Sequence, residues 1–255
     1  MDPLVFLAEI SYNGWIMTIT VDTEVLFIVH TLQKAGFEAY IVGGAVRDML
    51  LAVKDNSISV TDFDFTTNAK PEEILELFTD SFYENSFGTV SITREHIREH
   101  MPVELSLALH DDNLSSTGNK LIDIESASKI HESLADATNP HKAPEYKTKD
   151  LYEITTFRSD GAYTNSRHPD SVTWGETLQE DVDRRDFTIN ALALQIDQKF
   201  CETVLEQKEA SEYIQISPES YTIIDYHEGI IDLKNGLIRT VGNPDKRFTE
   251  DALRI

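Results

Sequence analysis

The sequence predicts a mixed α+β fold in which a small mixed sheet is covered by helices. Apolar runs of strand length alternate with segments of helical periodicity, and this alternation is typical of a sheet with helices packed against it. The chain has 255 residues, of which 40% are hydrophobic and 26% charged. These values are typical of a soluble globular protein with one large domain or two modest ones.

The first part of the chain is predicted to hold alternating helices and strands. The helix over 23–35 has apolar residues at helical spacing and ends at Gly36, a residue that suits a helix C-terminus. Further helices are predicted over 45–51 and 70–78, and strands over 37–42, 60–66 and 88–93.

The second part is predicted to be less regular. We expect a strand over 151–157, helices over 177–182 and 186–194, a β-hairpin over 223–241 that turns at Asn235 and Gly236, and a helix from 248 with Thr249 as its N-cap. Segments 95–150 and 200–221 are interpreted as insertions. The first of these contains His96 and His100, whose spacing permits a metal site, although solvated surface histidines are the preferred interpretation.

The most informative stretch joins a glycine pair to two carboxylates. Gly43 and Gly44 follow an apolar strand, and glycine at such a position lets the backbone approach phosphate oxygens closely. Asp62 and Asp64 stand one residue apart on a predicted strand, so they share a face while Phe63 faces the core. Such a pair can hold Mg²⁺ against the oxygens of a triphosphate. The combination predicts nucleotidyl transfer.

Charged residues near this stretch are further candidates. Arg47 follows Gly44 by three residues, so its planar guanidinium is placed to meet a bound phosphate, but an exposed ion pair with Asp48 is nearly as good an interpretation. Glu153, on the strand over 151–157, is a candidate third carboxylate, and the alternative is a solvent-facing strand residue.

Two more groups lie towards the C-terminus. Arg184 and Arg185 stand where the chain enters the predicted helix over 186–194, and surface pairing with neighbouring carboxylates is an equal alternative. Glu250, Asp251 and Arg254 lie on the terminal helix. Asp251 and Arg254 are three residues apart and therefore neighbours, able to offer hydrogen bonds to a base or to form an ordinary ion pair.

Charge and cysteine content restrict the function classes. The net charge of −23 argues by itself against nucleic-acid binding, because phosphate contacts need Lys and Arg. The single cysteine, Cys201, excludes an internal disulfide and a cysteine-based zinc site and fits a reducing cytoplasm. No apolar run approaches the ~20 residues of a membrane span, and because the N-terminus lacks a basic n-region we expect no secretory signal. We expect a cytoplasmic protein with neither a membrane nor a DNA partner.

Taken together, the motifs resemble those of the class II tRNA nucleotidyltransferases (CCA-adding enzymes) and the closely similar bacterial poly(A) polymerases, within the polymerase-β-like nucleotidyltransferase superfamily. The matching stretches occur in the family's order over about 22–255, apart from the two insertions. They are IVGGAVRDMLL, DFDFTT, FGTVSI, EITTFRSDGAYTNSRHP, LQEDVDRRDFTINALAL and IIDYHEGIIDLKNGLIRTVGNPDKRFTEDALRI.

The resemblance implies an N-terminal extension over 1–21, a polymerase-β-like head over 22–243 and the start of a helical neck over 244–255. It implies that Asp62 and Asp64 are the catalytic ligands of Mg²⁺, and that segment 158–174 helps the switch from CTP to ATP. The implied reaction adds CCA to tRNA 3′ ends from CTP and ATP and releases pyrophosphate. The implied nucleotide-binding residues are Gly43, Gly44, Arg47, Arg184, Arg185, Glu250, Asp251 and Arg254.

Alternatives and departures remain beside this interpretation. Poly(A) polymerase shares the quoted motifs, an ATP-only or CC-only tRNA enzyme also fits, and an inactive nucleotide-binding or assembly module is consistent with the acidity. The spacing from Gly44 to Asp62 is longer than expected, with 54–60 as the extra loop, and Asp55 is no substitute carboxylate because Ser57 stands two places on. We expect a tRNA-binding body, with the missing basic surface, to lie beyond residue 255.

Overall fold

The structure, a computed structural model, describes residues 5–6, 17–53, 55, 57–58, 60, 62–83, 87–102, 105–106, 151–161, 172–206 and 211–250. Its strands are β1 (Val5–Phe6), β2 (Ile19–Asp22), β3 (Ala39–Val42), β4 (Asp64–Thr67), β5 (Phe82–Tyr83), β6 (Thr89–Thr93), β7 (Leu151–Thr156), β8 (Arg158–Asp160), β9 (Val172–Trp174), β10 (Leu192–Ile196), β11 (Tyr213–Ile216) and β12 (Tyr221–Asp225). Its helices are α1 (Thr23–Lys34), α2 (Gly44–Ala52), α3 (Pro71–Leu77), α4 (Arg94–His100), α5 (Leu178–Asp183), α6 (Gln198–Leu205), α7 (Gly229–Asn235) and α8 (Pro244–Glu250).

A mixed sheet of eight strands forms the centre, in the order β1-β12-β10-β3-β4-β7-β6-β5. Within it β4 and β7 run parallel, whereas the other neighbouring strands run antiparallel. The smaller pairs β2–β11 and β8–β9 stand beside it. The predicted α+β class, a mixed sheet with helices packed on it, is confirmed.

The two faces of the sheet differ. Phe63 and Phe65 are buried on the face that carries the main core, as their alternation with the carboxylates predicts. Asp64 pairs in register with Val42 and therefore lies on the opposite face, which carries a smaller core under α5. This smaller core consists of Tyr40, Val42, Phe157, Leu178, Val182, Ala191, Ala193, Ile224 and Val241.

The predicted helix over 186–194 is wrong. A short 3₁₀ turn, Thr188–Asn190, leads directly into β10, which lies between β3 and β12 in the middle of the sheet. Its apolar residues are buried on both sides, and a short apolar run of this kind has no periodicity that separates a strand from a helix. Pairing with two neighbouring strands decides the outcome.

The predicted hairpin over 223–241 is also wrong. After β12 the chain forms α7, because the carboxylate of Asp225 accepts the backbone N–H groups of Gly229 and Ile230, each at 2.9 Å, and fixes the helix start. Gly236, with φ of 64°, ends the helix in the left-handed conformation instead of turning a hairpin. A Cβ at Gly229 would lie 2.2 Å from the carbonyl oxygen of Thr188, so α7 packs directly on the 3₁₀ turn.

The last helix begins earlier than predicted. α8 starts at Pro244, where the side chain of Asn243 accepts the N–H of Lys246 at 3.2 Å. Thr249 is therefore not an N-cap, and its hydroxyl donates to the carbonyl of Asp245 inside the helix at 2.6 Å. Residues 251–255 lie outside the described residues.

Both segments interpreted as insertions are partly built into the fold. Ile97, Met101 and Leu105 are spaced four apart and buried in the main core. This spacing is typical of a helix, and α4 contains the first of the three residues. In the second segment, α6 buries Cys201 and packs on α1, and β11 pairs with β2. Residues 107–150 and 207–210 lie outside the described residues.

The side chains of α4 and the N-terminal region have structural roles. Both ring nitrogens of His100 are engaged, one with the carbonyl of His96 and the other with the hydroxyl of Thr79. Ile19 and Val21 of β2 are buried in the main core. Among the described helices, none is long and apolar enough to cross a bilayer.

Candidate active site

Asp62 and Asp64 lie where the chain enters β4. The strand is shorter than predicted because β3 ends at Val42 and the next residue turns away, so pairing starts at Asp64 and Asp62 precedes the strand. Both aspartates are exposed to solvent, whereas Phe63 between them is buried and anchors the segment. Both aspartate side chains are therefore accessible to solvent.

The two carboxylates interact with each other. Loss of hydration raises the pKa of Asp64, the cation of Arg185 lowers it, and the charge of Asp62 raises it, with a net rise. Asp64 remains exposed by surface area, so the effect is that of crowding by neighbouring protein and not of enclosure. Two repelling carboxylates with incomplete compensation favour a bound cation.

Gly43 brings the backbone against Asp64. Its φ of 78° lies in the region that favours glycine, and it precedes the first turn of α2. A Cβ there would lie 3.2 Å from Nη1 of Arg185 and 3.7 Å from Oδ2 of Asp64. The N–H of Gly43 donates to the carbonyl of Leu192 at 3.2 Å, which ties the turn to β10. The glycine turn, a carboxylate and a guanidinium therefore meet, beside the N-terminus of α2 where Gly44 lies.

Arg184 and Arg185 follow the end of α5 and do not open a helix. The carboxylate of Asp181, which is fully buried, accepts from Arg184 at 2.7 Å on one oxygen and from Arg185 at 3.2 Å on the other. Burial by itself raises the pKa of Asp181, but the two guanidinium groups outweigh it and hold the pKa below its usual range. The pairing that the sequence suggested thus exists, but as a buried support and not as a surface contact.

Arg185 keeps donor capacity towards the site. Its side chain is 16% exposed, and its Nε is buried without a hydrogen-bond partner. A buried guanidinium N–H without an acceptor is costly. The donor on the side of the glycine turn is Nη1, which lies 3.2 Å from the position of a Cβ at Gly43.

Arg47 forms the ion pair with Asp48 that one of its two sequence interpretations predicts, and its phosphate role stays a prediction. Its Nε donates to Asp48 at 2.8 Å, and its Nη1 donates to the side-chain oxygen of Asn190 at 2.7 Å. Asn190 was missed, because the wrongly predicted helix hid the turn that brings it to α2. Its amide nitrogen lies 3.4 Å from Oδ1 of Asp186, so it links Arg47 to the segment after Arg185.

Glu153 stands beside Asp64. The two residues are register partners on the parallel strands β7 and β4, so their side chains leave the same face of the sheet. Glu153 is exposed. Its place next to Asp64 is the one that a third carboxylate would need, and its exposure also fits a solvent-facing strand residue.

Glu250 lies at the edge of a cleft that Arg184 also lines. It pairs with Arg247 at 3.0 Å and with Lys246 at 3.8 Å. A cleft of about 980 Å³ between β8, α5 and α8 is lined by Ser159, Glu180, Arg184, Lys246, Arg247 and Glu250. Asp251 and Arg254, as well as 162–171 of the predicted loop 158–174, lie outside the described residues.

The two carboxylates suit a hard cation whose remaining ligands come from the substrate and water. Within the described part of the chain, no group of three His, Cys, Asp or Glu residues could hold a metal ion. Mg²⁺ commonly uses one or two carboxylates and takes its remaining ligands from phosphate oxygens and water, so the pair Asp62 and Asp64 fits this pattern. The arrangement suits metal-assisted transfer of a phosphorus-containing group.

Comparison with known proteins identifies the family. The model of the poly A polymerase head domain matches residues 39–136 and 117–239. The chain therefore belongs to the poly A polymerase head domain family, whose nucleotidyltransferases are metal-dependent. The resemblance found from the motifs is thereby confirmed at the level of the family.

Individual relatives agree with this family. The CCA-adding enzyme of Lactobacillus helveticus is 35% identical over 229 residues, covering 89% of this chain and 37% of the relative. That of Staphylococcus saprophyticus is 35% identical over 228 residues, with the same coverage of 89% and 37%. The crystal structure of the Bacillus stearothermophilus CCA-adding enzyme in complex with CTP is similar at 28% identity and a TM-score of 0.51, covering 91% of this chain and 36% of that one. The chain thus spans little more than a third of the length of these relatives.

Proposed function

We propose that this chain is the catalytic head of a Mg²⁺-dependent nucleotidyltransferase that adds CCA to tRNA 3′ ends from CTP and ATP, releasing pyrophosphate. One observation carries the proposal: two exposed aspartates repel each other, and one of them, Asp64, lies against a glycine turn and the guanidinium of Arg185. The names of the relatives, all CCA-adding enzymes, supply the substrate class.

The residues divide the work on a nucleoside triphosphate. Arg185 and Arg47 would hold phosphate oxygens, and Gly43 lets the chain approach them without a side chain in the way. The first N–H groups of α2, including that of Gly44, have no acceptor within the helix and add partial positive charge. Arg184, on the wall of the cleft beside α8, would contact the nucleoside part.

The carboxylates bind and orient. Asp62 and Asp64 would hold the cation, which when bound activates the attacking 3′-hydroxyl and offsets charge on the departing pyrophosphate. Glu153, next to Asp64 in register, would accept the proton of that hydroxyl. Glu250, Asp251 and Arg254 are proposed to select the base by hydrogen bonds.

The state of the cysteine is consistent with a cytoplasmic enzyme. Cys201 is buried as a free thiol, and burial raises its pKa to about 12, so it stays an unreactive core residue under reducing conditions. The net charge of −23 leaves the arginines of the site as a local exception, and we propose that tRNA is held mainly by parts of the protein other than the described surface.

A binding experiment tests the site. Calorimetric titration of CTP and ATP into the 255-residue chain, with and without Mg²⁺, compares the wild type with Asp62→Ala plus Asp64→Ala. We expect the Mg²⁺-dependent part of the affinity to disappear in the double variant. Asp55→Ala is the matched control, since this exposed carboxylate bonds only locally to Ser57 among the contacts described. Equal binding by wild type and double variant would favour an inactive nucleotide-binding or assembly module.

The second candidate is poly(A) polymerase activity, favoured by the description of the matching family model. Incorporation assays with the protein expressed from its whole gene separate the two. Use of CTP on tRNA that ends before CCA supports CCA addition. Long tails made from ATP alone would establish the second candidate instead.

A further inference from the structure

We propose that Arg247 is a positioning residue that holds α8 against the end of α5 and thereby sets the base selectivity of the nucleotide site. The inference rests on the proposed function, because it concerns the base end of the same site. It assigns a role to a residue that none of the motif arguments used.

One guanidinium joins three parts of the chain. Nε of Arg247 donates to the carbonyl of Val241 at 2.9 Å, Nη2 donates to the carbonyl of Asp183, and Nη1 bonds Glu250 at 3.0 Å. The side chain is 15% exposed. Val241 belongs to the smaller core and Asp183 is the last residue of α5, so both carbonyls are fixed points from which α8 is held.

The contact at Asp183 places Arg247 next to the two arginines proposed for the nucleotide site. Arg184 and Arg185 follow Asp183 directly, and both are held by the buried carboxylate of Asp181. Arg247 therefore connects a rigid support for the triphosphate with the helix that carries Glu250. Arg184 and Glu250 line the same cleft of about 980 Å³, in which Arg247 also takes part.

The packing of α8 supports a positioning role. Phe248 contacts Phe187 with ring centroids 6.4 Å apart, which gives α8 an apolar anchor next to the polar one. An apolar contact alone is not directional, whereas three charge-assisted bonds from one planar group fix an angle. Base selection by hydrogen bonds requires donor–acceptor distances of about 3 Å, so a small rotation of α8 removes selectivity before it removes the helix.

This role predicts separate effects on the two ends of the nucleotide. Binding of the phosphate end depends on residues that Arg247 does not hold, and inorganic tripolyphosphate reports on that end alone. Discrimination between CTP and UTP reports on the base end. A residue that merely stabilised the fold would change both in proportion to the loss of folded protein.

The test uses calorimetric titration of the 255-residue chain with Mg²⁺ and CTP, ATP, UTP or tripolyphosphate, with thermal melting run alongside. We expect wild type to bind CTP and ATP at least tenfold more tightly than UTP. Arg247→Met should bind tripolyphosphate within about twofold of wild type while its preference over UTP falls below threefold. Arg247→Lys, which keeps the charge but loses the planar fork, should give an intermediate preference and serves if the Met variant does not fold. Lys34→Met, at an exposed position at the end of α1, is the control for the loss of one surface lysine.

The outcomes separate this inference from the proposed function. Full base preference in Arg247→Met or Arg247→Lys overturns it, as does an equal loss of CTP and tripolyphosphate binding in either variant. Loss of preference in Lys34→Met overturns it as well, because removal of a distant surface charge would then suffice. Equal wild-type affinity for CTP and UTP overturns the inference and leaves the phosphate site standing, whereas absence of tripolyphosphate binding contradicts the proposed function itself.

Discussion

Two carboxylate sites on opposite faces of the sheet are treated very differently. Glu24, on α1, is 2% exposed and is bound by Arg94 at 2.8 Å, by Arg98 and by the hydroxyl of Tyr152. Asp64 is exposed, faces another carboxylate and has an incompletely compensating arginine nearby. Glu24 is fully paired inside the protein, whereas the negative charge of Asp64 is only partly compensated.

The difference separates a structural acid from a candidate catalytic one. A buried carboxylate must be paired, and the partners of Glu24 come from α4 and β7, so it joins three elements of the main core. An exposed pair without full compensation contributes nothing to the fold and gains its counter-charge from a ligand. The two sites differ in whether the negative charge of the acid is fully compensated by neighbouring cations: that of Glu24 is, and that of Asp64 is not.

The largest expected effect follows from removing the buried charge. Glu24→Gln leaves Arg94 and Arg98 without their shared anion, and breaking a buried pair in this way costs roughly 3 kcal/mol of unfolding free energy, towards the lower end of the usual range because both arginines are about a quarter exposed. Urea unfolding of the 255-residue chain measures the change. Glu72→Gln, on the exposed surface of α3, is the control. An unfolding midpoint equal to that of the control would contradict the structural role of Glu24.

A smaller, pH-dependent effect is expected at Asp181, which lies between the two cases: it is buried and paired, but its partners are the two arginines proposed for the nucleotide site. Its pKa is lowered on folding, so its carboxylate stabilises the native state above the ordinary carboxyl pKa of about 4, and this contribution is lost as the pH falls below that value. Asp181→Asn should cost about 2 kcal/mol at pH 7.

Urea unfolding at pH 7 and pH 3.5 checks the sign. The difference between wild type and Asp181→Asn should shrink at the lower pH, and Glu176→Gln, at an exposed position, should show no such pattern. A difference that grows on acidification would rule out Asp181 as the ionised support of the arginines.

A still smaller effect concerns the bond between Arg47 and Asn190. Asn190→Ala leaves Arg47 paired with Asp48 but frees the guanidinium from its tether to the turn before β10, so the affinity for tripolyphosphate should fall by roughly fivefold, about 1 kcal/mol. Asn68→Ala removes a comparable bond to the backbone of Glu38 and is the control. Unchanged affinity in Asn190→Ala would show that Asp48 alone orients Arg47.

The smallest change in stability is expected where the change in ligand binding is greatest. Asp64→Asn removes a carboxylate whose pKa is raised on folding, so at pH 7 the unfolding free energy should stay the same or rise by up to about 0.5 kcal/mol. Thermal melting without Mg²⁺ measures this. Clear destabilisation, as at Glu24, would place Asp64 among the structural acids.

The sequence predicted which candidate-site residues lie together better than it predicted the fold around them. The glycine turn and the carboxylate pair are local patterns, since alternation along a strand and a strand-to-helix turn need only a few neighbouring residues. Asn190 and Asp181 were missed as supports because their roles depend on contacts or burial that the sequence does not state. Arg47 and Asn190 are 143 positions apart.

The errors in the fold have the same origin. Segment 186–194 carries a short apolar run whose state is set by pairing with β3 and β12. In segment 223–241, Asp225 serves as a helix cap and Gly236 as a helix end, and neither residue type distinguishes a cap from a hairpin turn when taken alone.

The parallel contact between β4 and β7 has a consequence for synthesis on the ribosome. β5, β6, α3 and α4 are all made between these two strands, so Asp64 emerges long before Glu153 arrives to lie beside it. β3 likewise waits for β10, the next neighbour on its other side. A growing chain therefore carries a two-stranded fragment with both edges open, a species prone to wrong pairing and a natural client for a chaperone.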